Sequence, residues 1–243
     1  MGRVGNFRDG NLHITIPVQA VTMEELEERA QTAKSFAPDL IEWRADAFCE
    51  IADPESLRKA LTLLRGIMAD TPILFTCRER CDNGQGDFSL EVKRNAIRSA
   101  VCSGLIDLVD IELAHKSEVP ELLALSHAHD VLLIVSHHDW EKTPDRDEME
   151  RIAREEYDLG ADIIKYSFFA NTYGDIASIA EMTLSARAAW LDRPVFSIAG
   201  GEKGMASRIC GRALGTDLTF ASIGNTPQIH ISDLRRLDSL IFR

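Results

Sequence analysis

Eight short runs, apolar and rich in β-branched residues, recur along the chain, and their spacing limits the fold more than any other feature. They begin near Leu12 (LHITIPV), Asp39 (DLIEWRAD), Pro72 (PILFTCR), Leu105 (LIDLVDIEL), Val131 (VLLIVSHHD), Asp162 (DIIKYSFF), Pro194 (PVFSIAG) and Leu218 (LTFASI). Successive starts lie 24 to 33 residues apart, the length of one strand, one helix and two short connections. The repeat is one of pattern, not of sequence. Between the runs lie segments with helical periodicity. TMEELEERAQTAKSF opens on a Thr22-x-x-Glu25 capping box and places Met23, Leu26, Ala30 and Ala33 on one face. Pro54 sits just inside the start of DPESLRKALTLLRGIM, while Gly104 and Gly160 follow two further helical segments in the C-terminal capping position. No Pro/Gly/Ser-rich linker interrupts the 243 residues. These features predict an α/β fold, a single (β/α)8 TIM barrel of parallel strands with outer helices that spans residues 1–243 as one catalytic domain. An open doubly wound sheet is the alternative.

Strand alternation tests the barrel, because outward positions pack under helices while inward ones near the C-terminal ends build a site. Ile41, Trp43 and Ala45 share one face and Glu42, Arg44 and Asp46 the other; Ile73, Phe75 and Cys77 oppose Leu74, Thr76 and Arg78. Val109, Ile111 and Leu113 oppose Asp110 and Glu112, and Ile164, Tyr166 and Phe168 oppose Lys165 and Ser167. In the fifth run His138 falls on the inward face and His137 under the helices. The inward set is then Glu42, Arg44, Arg78, Asp110, Glu112, His138 and Lys165. For any one of these a structural ion network is an equal reading, since charges inside strands must pair. Together they describe a polar site for an anionic ligand.

Lys165 lies among apolar residues in DIIKYSFF, where desolvation favours the neutral amine that attacks carbonyls. The alternative is a lysine paired with Glu42 or Glu112. His138, on the neighbouring strand, is suited to general acid and base work beside an imine, with Asp110 placed to orient its ring.

Composition narrows the partners. With 27 Lys+Arg against 39 Asp+Glu the net charge is −12, which argues against a nucleic-acid binder. The acidic excess falls on helical segments such as RDEMERIAREEYD, read as solvated faces. No secretory or membrane-spanning stretch shows, so a cytoplasmic protein without a membrane partner is expected. The five cysteines form no CxxC and no grouping with histidine, which predicts reduced thiols and no metal.

IEWRAD, FTCR, VDIEL, VSHHDWEKTP, GADIIK, GMASRICGRALGTDLTFAS and PQIHISDLR resemble, in order and spacing, the type I 3-dehydroquinate dehydratases of the shikimate pathway of aromatic amino-acid biosynthesis. The resemblance runs from about Leu12 to Leu237. It implies a cofactor-free barrel lyase, commonly a homodimer, that takes a small-molecule substrate, 3-dehydroquinate, to 3-dehydroshikimate and water through a Schiff base. It further implies Lys165 as the imine-forming lysine and His138 as the base, with Glu42, Arg44, Arg78, Arg208 and Gln228 binding substrate. Asp110 falls where the family has an acidic partner for the histidine. Two places depart from the pattern. Asp82 stands where a supporting glutamate is usual, and the final loop reads GNTPQ in place of a sequence like SAPGQ, so Gly224 replaces a serine, with Asn225 or Thr226 as substitutes for its hydroxyl. Two rivals stay open on sequence alone: another class I aldolase-like Schiff-base lyase, for which GGEKG is a weak phosphate cradle, and a catalytically silent binding paralogue.

Overall fold

A computed structural model describes residues 4–224 and 228–242. Its strands are β1 (His13–Gln19), β2 (Leu40–Arg44), β3 (Ile73–Thr76), β4 (Leu108–Glu112), β5 (Leu132–Asp139), β6 (Ile163–Phe169), β7 (Val195–Gly200) and β8 (Leu218–Phe220). The helices that follow them in turn are α1 (Met23–Ser35), α2 (Pro54–Met68), α3 (Leu90–Cys102), α4 (Val119–Ala128), α5 (Arg146–Asp158), α6 (Tyr173–Ala189), α7 (Met205–Ile209) and α8 (Ile231–Ile241). All eight strands belong to one sheet in the order β7-β6-β5-β4-β3-β2-β1-β8, with β1 paired in parallel to β2 and β6 in parallel to both β5 and β7. That order follows the chain, which a doubly wound sheet does not.

Two compact units divide these elements. The first is built mainly of Thr15–Ile111 and Ser117–Leu133, the second of Asn6–Ile14, Glu112–Lys116 and Ile134–Arg243. In the first, strand residues of both faces are buried. Ile41, Trp43, Ile73 and Phe75 are fully buried, and α1, α2 and α3 bury stripes that include Leu26, Ala30, Leu57, Leu61 and Ile97. In the second, Val135, Ile164, Tyr166, Phe168 and Val195 are fully buried, with Met149, Ile152 and Ile179 from α5 and α6.

Each unit starts its strands with the same ionic clasp. In the first, the Asp107 carboxylate accepts from the Ile73 N–H at 2.9 Å and from the Arg65 guanidinium in the last turn of α2. The Asp107 N–H donates back to the Ile73 carbonyl, and the Leu132 N–H donates to the Asp107 carbonyl at 3.0 Å. In the second, Asp217 accepts from the Val195 N–H at 2.8 Å and from Arg187 in the last turn of α6. The Asp217 N–H donates to the Val195 carbonyl, and the His13 N–H donates to the Asp217 carbonyl at 2.8 Å.

Three expectations need correction. Thr22 caps α1 by accepting from the Glu25 N–H, but the Glu25 carboxylate accepts from Val21, one residue earlier, so the box is not reciprocal. β2 ends at Arg44, where the chain turns directly into a 3-10 segment (Ala45–Ala47), and β3 ends at Thr76, ahead of irregular residues 77–79 and a second 3-10 segment (Arg80–Asp82); Asp46 and Arg78 therefore stand beyond their strands. The acidic helix faces are not all solvated: Glu156 of α5 is fully buried, in register with Met149, Ile152 and Ala153.

Candidate active site

The first unit supplies a paired set of charges at the C-terminal ends of β2, β3 and β4. Glu42 is buried and accepts from the Thr76 hydroxyl at 2.9 Å, a cross-strand contact one step from the register pair Glu42–Leu74. Arg44 donates through Nε and Nη2 to both oxygens of Asp46, at 2.8 and 2.9 Å, and through Nη2 to the Asn83 carbonyl. A fork held on both prongs keeps a fixed direction. Asp46 is itself anchored by the Gln85 N–H at 2.9 Å. Burial pulls the Arg44 pKa down, but the Asp46 bonds and the charge of Glu42 outweigh it, and the net shift is upward.

Arg78 is buried and lies between two carboxylates, Asp110 at 2.8 Å and Asp82 at 3.1 Å. Asp82, the shorter acid in place of a glutamate, thus reaches Arg78. Gly84 makes the loop possible, because a Cβ there would sit 2.0 Å from the Arg78 carbonyl oxygen. Glu112 is buried, and Glu79 pairs with Lys93, a lysine fully buried on the apolar stripe of α3.

The second unit carries the lysine and the histidine singled out in the sequence, Lys165 and His138. Lys165 is buried on β6, and its Nζ stands 5.5 Å from the ring centroids of both Phe196 and Phe220. Those rings, 4.6 Å apart on β7 and β8, give the amine an aromatic wall. From the outer side the buried Glu156 carboxylate accepts from the Lys165 backbone N–H at 3.0 Å, fixing the peptide that bears the amine. Ser136 of β5 pairs with Lys165 and His138 with Ser167, so His138 stands two residues further along the same face. His138 is half-buried, and its imidazole is stacked on Trp140 with centroids 5.1 Å apart and planes 3° from parallel. His137 packs against Phe168 instead.

Arg208 projects from α7 and is 9% exposed. Its Nη1 donates to the Ala199 carbonyl at 3.3 Å, and its Nε meets no acceptor among the described residues. Burial pushes its pKa down, and no carboxylate among the described residues offsets it. Gly204 caps this short helix, where a Cβ would lie 2.2 Å from the Ala199 carbonyl oxygen. Beyond β8 the chain returns on itself through a bridge between Ser222 and His230, and the Ser222 hydroxyl donates to the Gln228 carbonyl at 3.1 Å. Gln228 and Gly224 are exposed at the ends of this loop, and Asn225 and Thr226 lie outside the described residues.

Sequence reasoning missed Asp46 as the holder of Arg44, the phenylalanines around Lys165, and Glu156. Glu156 had a signal, since it falls on the 149, 152, 153, 156 stripe of an otherwise apolar face.

A buried lysine and a histidine on adjacent parallel strands of an eightfold β/α repeat define the class, a (β/α)8-barrel lyase. Residues 14–243 match the model of the family described as Type I 3-dehydroquinase. The 3-dehydroquinate dehydratase of Alkaliphilus oremlandii is 31% identical over 239 residues, 97% of this chain and 94% of that protein. The crystal structure of 3-dehydroquinate dehydratase from Geobacillus kaustophilus superposes with a TM-score of 0.92 at 31% identity, covering 95% of this chain and 91% of that one. The type I enzyme of Clostridium difficile, solved with covalently modified comenic acid, gives 0.93 at 27% identity over 96% and 93%. The chain belongs to the type I 3-dehydroquinase family, and that decides against the aldolase-type alternative.

Proposed function

We propose that Lys165 and His138 carry out the family's reaction here, the dehydration of 3-dehydroquinate in the shikimate pathway. The observation that carries this reading is the pair itself: a buried amine with an aromatic wall, and an imidazole two residues along the same face of the neighbouring strand. Neutral Lys165 attacks the substrate ketone, and loss of water from the carbinolamine gives an imine. The protonated imine withdraws electrons from the adjacent carbon, and His138 removes a proton there. The same imidazolium then protonates the departing hydroxyl, which leaves as water. Hydrolysis of the imine consumes one water and frees Lys165 with 3-dehydroshikimate. The covalently modified ligand of the Clostridium difficile relative supports covalent chemistry in the family.

Arg208 is assigned to the substrate carboxylate, because a buried guanidinium with its Nε unbonded among the described residues is ready for an anion. Arg44 and Arg78, held by Asp46, Asp82 and Asp110, are assigned with Glu42 and Gln228 to the substrate's oxygens. No cofactor is required by these steps. Residues 1–243 act as one catalytic domain, a reading supported by the unbroken family match over 14–243. The enzyme is a cytoplasmic homodimer that does not bind nucleic acid. The net charge of −12 supports the last point, and among the described residues no helix is long and apolar enough to cross a membrane.

Incubation with 3-dehydroquinate should raise the enone absorbance, and borohydride added during turnover should leave a mass adduct on Lys165. Lys165→Ala should lose both. Turnover that survives Lys165→Ala, or ligand binding without any turnover, would overturn the reading. Light scattering should give twice the mass of the chain.

A further inference from the structure

Trp140 is a large aromatic residue left 44% exposed, in a turn whose neighbouring residues are closely bonded. The Asp139 carboxylate accepts from the Glu141 and Lys142 N–H groups, both at 2.9 Å, closing a turn that contains Trp140. Three further bonds pin that turn to the end of β6. The Phe169 N–H donates to the Lys142 carbonyl at 3.2 Å, the Thr143 hydroxyl donates to the Phe169 carbonyl at 3.0 Å, and the Asn171 amide donates to the Glu141 carbonyl at 2.8 Å. The product of this scaffolding is a flat contact with His138, planes 3° apart. Burying apolar surface does not explain an indole that keeps nearly half its area in water.

We propose that Trp140 is a positioning residue for the proton transfer, acting through His138. The inference rests on the reading of His138 as the base. The imidazole reaches its pose by rotating about the bond to its ring, a broad torsion that the backbone does not fix. The indole face fixes it, so that the ring nitrogen meets the C–H bond in a reactive geometry. The same face becomes more attractive once His138 carries the proton, because a cation within about 6 Å of an indole centroid is drawn to its π-density. The stack therefore stabilises the imidazolium that proton abstraction creates and that the departing hydroxyl consumes.

The test uses Trp140→Phe, Trp140→Leu and His138→Ala in the full-length enzyme. Trp140→Leu should lower kcat about tenfold with KM nearly unchanged, and Trp140→Phe, which keeps an aromatic face, should restore most of it. With substrate deuterated at the carbon that loses the proton, the isotope effect on kcat should be larger in Trp140→Leu than in the wild type. Borohydride trapping on Lys165 should persist in that variant, which a collapsed site would not allow. If His138→Ala abolishes turnover while Trp140→Leu keeps the wild-type kcat and isotope effect, the inference is overturned and the base assignment stands. A rise in KM alone would also overturn it, assigning Trp140 to substrate contact. Full turnover by His138→Ala would remove the base reading and this inference with it.

Discussion

Arg208, proposed above to hold the substrate carboxylate, shows what such an assignment would cost in stability. It is 9% exposed, its Nε finds no acceptor among the described residues, and its pKa is pushed down by burial. A buried cation with no counter-charge is unfavourable until an anion arrives. Arg208→Leu should therefore stabilise the unliganded protein by about 1–2 kcal/mol while raising KM by two orders of magnitude or more. Thermal melting with and without substrate checks both halves: the variant should melt higher alone and gain nothing from ligand. Tyr166 makes a second residue-scale prediction. Its phenol is wholly buried, with its hydroxyl on Thr183 at 2.8 Å, and burial pushes the pKa up to about 12 against the ordinary 10.0. Between those two values the unfolded chain releases a proton that the folded one keeps. Stability is thus intact below pH 10 and lost as pH rises towards 12, by roughly 2–3 kcal/mol. Urea titrations should show Tyr166→Phe losing less stability over that interval than the wild type.

At the scale of elements, the clasps of Asp107 and Asp217 decide where strands begin. Each takes a backbone N–H at the start of one strand and a guanidinium from the end of the preceding helix. Asp107→Asn leaves the half-buried Arg65 without its charge partner and should cost about 2–4 kcal/mol. Asp217→Asn should behave alike, which chemical denaturation of the two variants will show. At Asp217 burial raises the pKa despite Arg187, so part of that pair's attraction is spent on desolvation. The strands were legible because apolar runs with β-branched residues are short, and because capping signals such as Pro54 and Gly160 bound the helices between them. Alternation also put Glu42 and Lys165 on the polar face, and both proved buried on their strands. What stayed hidden has a common cause. Glu156, Lys93 and Asp46 are acids and bases whose partners come from elsewhere in the chain, among them the Lys165 N–H, Glu79 and Gln85. A linear pattern shows the charge and the face it lies on, not the group that waits there. Trp140 escaped for the opposite reason: its partner His138 is two residues away, but an exposed aromatic carries no periodic signal.

The whole molecule is two units that use the same chemistry with different reach. The Leu132 N–H and the His13 N–H make equivalent bonds to the carbonyls of Asp107 and Asp217. The first closes a segment of about 25 residues and the second one of about 200, a difference of roughly 2 kcal/mol in chain entropy. Pulse-labelled hydrogen exchange during refolding should find Leu132 protected before His13. Simultaneous protection of the two amides would show that the second unit gains no delay from its long reach. The acidic excess does not oppose this assembly, since pairs such as Arg151 with Glu148 and Glu155 spread it over exposed helix faces.

His13 belongs to the second unit although it stands near the beginning of the chain. During translation it emerges about 200 residues ahead of its acceptor, Asp217. The first unit has its own clasp complete once Leu132 has left the ribosome, whereas the leading end of β1 must wait about 200 residues for a partner that has not been made. Among these strand starts, the earliest residue to appear is the one whose place is settled at the end.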